Sequence, residues 1–205
     1  MDIVGIIFSI IVLIYSIVIH EFSHGAVAYY LGDPTAKQAG RLTLNPLKHL
    51  DPMGSVILPI LMIFTTGRGI GWAKPVPINP YNFRDQRFGE LKVSFAGPAS
   101  NLAIALIFGL TLRFLGGIFP EIFYSLISYI VILNILLAVF NLIPIPPLDG
   151  SHILFTFLPP SFNGLKIFLN QFGFFILIFL VFLFPAFFQL LLVIVNSVFS
   201  LIVGF

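Results

Sequence analysis

Residues 3–19, IVGIIFSIIVLIYSIVI, contain no charged side chain, and the apolar character continues to Leu31. A helix of this length is able to cross a hydrocarbon core about 30 Å thick. Four further apolar stretches of similar length follow, at about 91–115, 122–143, 165–184 and 185–203. Over its 205 residues the chain is 59% hydrophobic and 9% charged, with mean hydropathy +1.08. No soluble domain needs so much apolar surface. The expected fold is an all-α polytopic membrane protein with about five to six transmembrane helices, forming a single integral membrane domain over 1–205. No cleaved signal peptide is expected, because the N-terminus lacks a basic region and a small-residue cleavage site. No internal repeat and no separate soluble domain are evident.

A sixth apolar segment, Gly54–Thr66 (GSVILPILMIFTT), decides the topology. Its thirteen residues make about 20 Å of helix, short of the hydrocarbon thickness, so a re-entrant or interfacial element is expected. Charge agrees. Eight of the ten Lys and Arg (Lys37, Arg41, Lys48, Arg68, Lys74, Arg84, Arg87 and Lys92) lie between residues 32 and 92. If Gly54–Thr66 does not cross, all eight lie on one side, which the positive-inside rule makes cytoplasmic. The N-terminus is then outside, and the first and third long helices run parallel. The loops Thr35–Asp51 and Trp72–Pro80 flank this segment as a candidate β-like, cytoplasmic-side edge. The net charge of +2 is small and confined to membrane-flanking loops, which argues against a nucleic-acid partner.

Near the end of the first apolar run stands His20-Glu21-Phe22-Ser23-His24. On a helix, residues four apart share a face, so His20 and His24 can present two imidazoles to one ion with Glu21 beside them. This is the His-Glu-x-x-His arrangement of zinc hydrolases, in which the Glu is the general base. The pattern also arises by chance in soluble helices. At bilayer depth a Glu and two His are costly, and such residues mark functional sites. With no cysteine in the chain, any metal must use His, Asp or Glu.

A second constellation, NLIPIPPLDG, runs from Asn141 to Gly150. Pro144, Pro146 and Pro147 stop a regular helix there. Irregular backbone at membrane depth is tolerated only against protein or a watery cavity. Asp149 on this break is a candidate third ligand. Alone, it reads more readily as a carboxylate capping backbone in a loop after the helix. In the non-crossing topology it lies at a depth similar to that of His20 and Glu21.

Together the two motifs resemble those of the site-2 protease family of intramembrane zinc metalloproteases. His20–His24 matches the family's HExxH, and Asn141–Gly150 its Asn-x-x-Pro-x-x-x-Leu-Asp-Gly. The resemblance extends to Asn45–Gly54, to Gly71–Pro77 and to Ala96–Asn101, so it covers roughly residues 15–155 and looks like the compact prokaryotic branch. It implies a three-helix catalytic core over about 1–155, with the helices at about 165–203 as additions. It also implies one Zn2+ per chain held by His20, His24 and Asp149, with Glu21 as general base. Asn141 would bind substrate backbone or steady the oxyanion, or else make a helix–helix hydrogen bond. The implied substrate is a transmembrane segment of another protein, unwound and held by strand addition, and the implied location is the cell membrane. No PDZ or CBS domain, such as many relatives carry, is expected within these 205 residues.

His49 and His152 are the rival ligands. Asn45 and Asp51 read as loop ties, Asn101 as a packing residue, and Trp72 and the many Phe as membrane anchors and lipid-facing bulk. The alternatives are a non-catalytic metal-binding membrane protein and a metal transporter. The intact Glu21 favours the enzyme, because neither alternative needs a base there.

Overall fold

A computed structural model describes residues 3–51 and 74–204. The expected re-entrant segment Gly54–Thr66 and Trp72 lie outside the described residues. The chain divides into two compact units, Met1–Gly89 and Glu90–Phe205.

The first unit is built on α1, Ile3–Tyr30, whose 28 residues make about 42 Å of helix. Its buried positions, Ser16, Val18, His20, His24, Gly25 and Ala28, form one stripe, while Ile3, Ile7, Ile10 and Ile11 are exposed as a lipid-facing surface requires. Small residues on the stripe let chain come close. A Cβ on Gly25 would meet Val76 Cγ1 at 3.1 Å and Ala36 Cβ at 3.3 Å. The helix stops at Gly32, whose φ of +110° suits glycine and strains other residues. A short helix α2, Thr35–Gln38, and single 3-10 turns at Pro46–Lys48 and Pro80–Asn82 follow.

Among the described residues there is no strand. Where it is described, the stretch expected to supply a β-like edge consists of α2, these turns and chain without regular secondary structure, including 74–79. Proline explains this locally. Pro75 and Pro77 have no N–H to donate to a ladder, and the N–H of Val76 between them is used by Glu21.

The second unit holds α3 (Gly89–Leu115), α4 (Glu121–Asn141), α5 (Asp149–Phe157), α6 (Asn163–Leu183) and α7 (Pro185–Val203). With α1, four of these (α3, α4, α6 and α7) make five helices long and apolar enough to cross a membrane, and the chain is a polytopic membrane protein. Ala105 and Leu112 of α3, Val131 and Ile135 of α4, and Val195, Ile202 and Val203 of α7 form the buried core. On two of the same helices, α3 and α4, Asn101 Nδ2 donates to Asn134 Oδ1 at 2.9 Å, and Asn134 Nδ2 donates to Ile130 O at 2.9 Å. Both residues are fully buried. A hydrogen bond between two buried amides ties α3 to α4. Asn101 thus packs against the helix of the Asn141–Gly150 motif.

Replacing Asn134 by Ala removes the interhelical acceptor of Asn101 Nδ2. The expected loss is about 1 kcal/mol, read as a lower unfolding midpoint in detergent. Asn101→Leu/Asn134→Leu, which removes both polar groups, is expected to recover part of it.

Candidate metal centre

His20 and His24 lie one helical turn apart on the buried stripe of α1, each 7% exposed. Their ring centroids are 4.7 Å apart and their planes meet at 83°. This is a pair of imidazoles on one helix face, and neutral imidazole is a common zinc donor. Ser23, between them in sequence, spends its hydroxyl on Ile19 O at 2.7 Å.

Glu21 is placed by backbone. Its Oε2 accepts the Val76 N–H at 2.8 Å. The segment carrying Val76 is itself held to the end of α1. Lys74 N donates to His49 O at 2.9 Å and Arg84 N to Leu31 O at 2.8 Å. Between them stands Asp33, fully buried, which accepts from Asn79 N at 2.7 Å, Asn82 Nδ2 at 2.8 Å, and both the N–H and the hydroxyl of Thr35. Burial by itself would raise the Asp33 carboxyl. The donors around it outweigh burial and hold it below the ordinary carboxylate value. Asp33 therefore clamps residues 79–82 to the end of the metal-motif helix.

In the second unit, Asn141 is the last residue of α4, with Nδ2 donating to Leu137 O of its own helix at 2.9 Å. The chain then turns through 142–148 and enters α5 at Asp149. Gly150 is dictated by packing. A Cβ there would stand 2.2 Å from Leu142 O and 2.5 Å from Ile143 O, so only glycine lets α5 start against the proline break. Asp149, half-buried, is fixed at the first residue of that helix. The N-terminal end of a helix favours a negative side chain.

The rival ligands have other work. The His49 ring is buried, and its Nε2 pairs with Thr43 O at 2.8 Å. Asn45 Oδ1 caps the next 3-10 turn by accepting Leu47 N–H at 3.1 Å. His152 Nδ1 lies 2.7 Å from Glu90 Oε1, with both side chains about half exposed.

Two features of this region were not read from sequence, the Glu21–Val76 contact and the Asp33 clamp. The first had a signal. In Pro75-Val76-Pro77 only Val76 has a backbone donor, so any contact through that backbone N–H falls on it. Asp33, in Gly32-Asp33-Pro34, reads as a helix stop, and its long-range partners Asn79 and Asn82 carry no local mark.

The Peptidase family M50 profile matches residues 79–180. The YwhC protein of Bacillus subtilis, whose name assigns it to the zinc metalloproteases, is 40% identical over 174 residues, covering 82% of this chain and 76% of that one. Two Rip2 proteins, named likewise, are also similar. That of Mycolicibacterium smegmatis is 38% identical over 165 residues, 80% of this chain and 62% of the relative. That of Mycobacterium tuberculosis is 33% identical over 171 residues, 83% and 64%. The chain thus spans less than two thirds of the length of either Rip2 protein. No solved structure matches it significantly.

The clamp has a pH signature. A depressed carboxyl stabilises the fold above its unfolded pKa, and the contribution is lost as pH falls through the folded value. Hydrogen exchange at the Asn79 and Arg84 amides is expected to accelerate as the medium is taken below the ordinary carboxylate range. Asp33→Ala is expected to give that faster exchange already at neutral pH, normalised to an unstructured reference amide.

Proposed function

This chain belongs to peptidase family M50 and is a protease of the site-2 type, and from that premise we propose that His20, His24 and Asp149 hold one zinc ion for which Glu21 is the general base. The observation that carries the reading is the α1 face itself. Two buried imidazoles lie one turn apart, and the carboxylate next to the first is oriented by the Val76 N–H. Two nitrogens and one carboxylate oxygen suit zinc and leave a fourth position open for water. Such a metal, when bound, supplies a water of lowered pKa and polarises a peptide carbonyl.

The chain's own residues do the rest. Glu21 Oε2 is anchored by Val76, so its second oxygen is the one available to take the proton of the attacking water. The same carboxyl then hands that proton to the departing amine. Asn141, at the end of α4, keeps a second amide hydrogen beyond the one given to Leu137, and it is suited to bind a substrate carbonyl or the oxyanion. Proline at 75 and 77 leaves carbonyl acceptors as the pairing groups along that stretch, so an unwound substrate held there would donate its own N–H groups.

The substrate class that fits is a transmembrane segment, because the histidines sit within an apolar helix. The location that fits is the cell membrane, with cleavage near the cytoplasmic side where the basic loops lie.

The test uses purified protein in detergent with a panel of single-span substrates. Wild type is expected to carry about one zinc per chain and to cleave. Glu21→Gln is expected to keep the zinc and lose cleavage by at least a factor of about a hundred. Asp149→Ala is expected to lose both. Zinc retained in Asp149→Ala would move the third ligand elsewhere, and zinc without cleavage in the wild type would overturn the protease reading of this site.

A further inference from the structure

Length and apolar composition qualify α6 as a membrane span, but packing within the second unit orients it differently. Helices α3 and α4 are antiparallel, as Gly116 beside the Tyr124 ring and Asn101 beside Asn134 show. Helix α7 runs in the direction of α3. Its last turn meets the last turn of α3, where Arg113 donates to Leu201 O at 3.2 Å and packs under Gly204. One turn lower, a Cβ on Gly109 would meet Ile202 Cγ2 at 2.4 Å. Seventeen residues before Ile202 is Pro185, and seventeen before Gly109 is Lys92. At 1.5 Å per residue both lie about 26 Å further along. The start of α7 is therefore level with the charged first turns of α3, where Glu90 and Lys92 stand.

All three anchor points of α6 fall at that same level. Its first turn is tied to the end of α5 by Lys166 Nζ donating to Phe155 O at 2.9 Å. Its middle rests on the proline break, where a Cβ on Gly173 would be 2.6 Å from Pro146 O. Its end passes through the single residue Phe184 into Pro185. Helix α5 is itself fixed to the first turn of α3 through His152 and Glu90. A helix of 21 residues is about 31 Å long, and a crossing would carry its end to the opposite surface. Instead it begins, rests and ends at one surface.

The sequence of α6 fits that position. Gly173 and Leu177, four apart, face the unit and are buried. Phe168, Phe172, Phe175, Phe179 and Phe182, spaced 4-3-4-3, form a stripe on the other side and are 39–66% exposed. Leu190 and Val193 of the spanning helix that follows Phe184 are exposed as well. An exposed phenylalanine stripe joined through one residue to a spanning helix indicates hydrocarbon as the occupant.

We propose that α6 lies along the bilayer surface on the side of Glu90, with its phenylalanine stripe sunk into the boundary between headgroups and acyl chains. Helix α7 then crosses in the direction of α3, and residue 204 emerges on the side of the Gly117 loop. The proposal is independent of the protease chemistry.

The chain has no cysteine, so single cysteines report cleanly. In liposomes of mixed phosphatidylethanolamine and phosphatidylglycerol, nitroxides at Phe168→Cys, Phe175→Cys and Phe182→Cys are expected to report one common depth, about 5–10 Å below the headgroups. A depth changing by about 20 Å from 168 to 182, as a spanning helix of this rise requires, would overturn the proposal. Water exposure at all three would do the same. Gly117 and Gly164 have open space for a Cβ. With a membrane-impermeant maleimide, Gly117→Cys and a cysteine appended after Phe205 are expected to label from the same side, and Gly164→Cys from the other. Labelling of the appended cysteine together with Gly164→Cys would restore the two-span arrangement.

Discussion

A hydrocarbon environment offers no hydrogen bonds, which favours pairing of polar groups in and beside the spanning helices with groups of the chain itself. That constraint explains why so few side chains carry so much of the architecture. The Asn101 amide takes Asn134, Arg113 takes the last carbonyls of α7, and Asp33 collects the donors of the chain leaving and rejoining α1. Each is a single polar element on an otherwise apolar surface. Each joins parts far apart in sequence, and Asn134 and Asp33 have local partners as well.

The same constraint bears on the histidine face of α1. Two imidazoles and a carboxylate on a membrane helix are costly, and α1 carries His20 and His24 on its buried stripe. Glycine and alanine on that stripe make room for residues 74–84, and the approach of Val76 orients Glu21. Fold and chemistry therefore share residues. What lets the chain pack also aims the proposed base.

Much of this was legible in the sequence, and the reason is periodicity. Apolar runs of twenty or more residues state both helix and membrane, and α7 begins at Pro185 and ends at Val203 as expected. The two motifs, His-Glu-x-x-His and the Asn141–Gly150 break, were legible as candidates because their spacings are specific, and the structure places the first on the buried stripe of α1 and the second across the end of α4 and the start of α5. Contacts whose partners are distant or generic were not legible. Val76 acts through a backbone group that every residue but proline possesses, and Asn79 and Asn82 look like any turn asparagines. Gly150 was read as part of a motif, although its packing reason lies in the Leu142 carbonyl. The apolar run at 165–184 gave helix and hydrophobicity, whereas its contacts with Pro146 and Phe155 are not contained in a window of hydropathy.

The hold on Glu21 comes from main chain. An amide hydrogen at position 76 survives nearly every codon change there, so drift in that side chain leaves the carboxylate's anchor in place. Only proline deletes it, and prolines already occupy both neighbouring positions. The contact is thus mutationally robust at its own site and open to loss by one residue type. Its real vulnerability lies elsewhere, in Asp33 and the asparagines that keep this stretch of backbone against the helix.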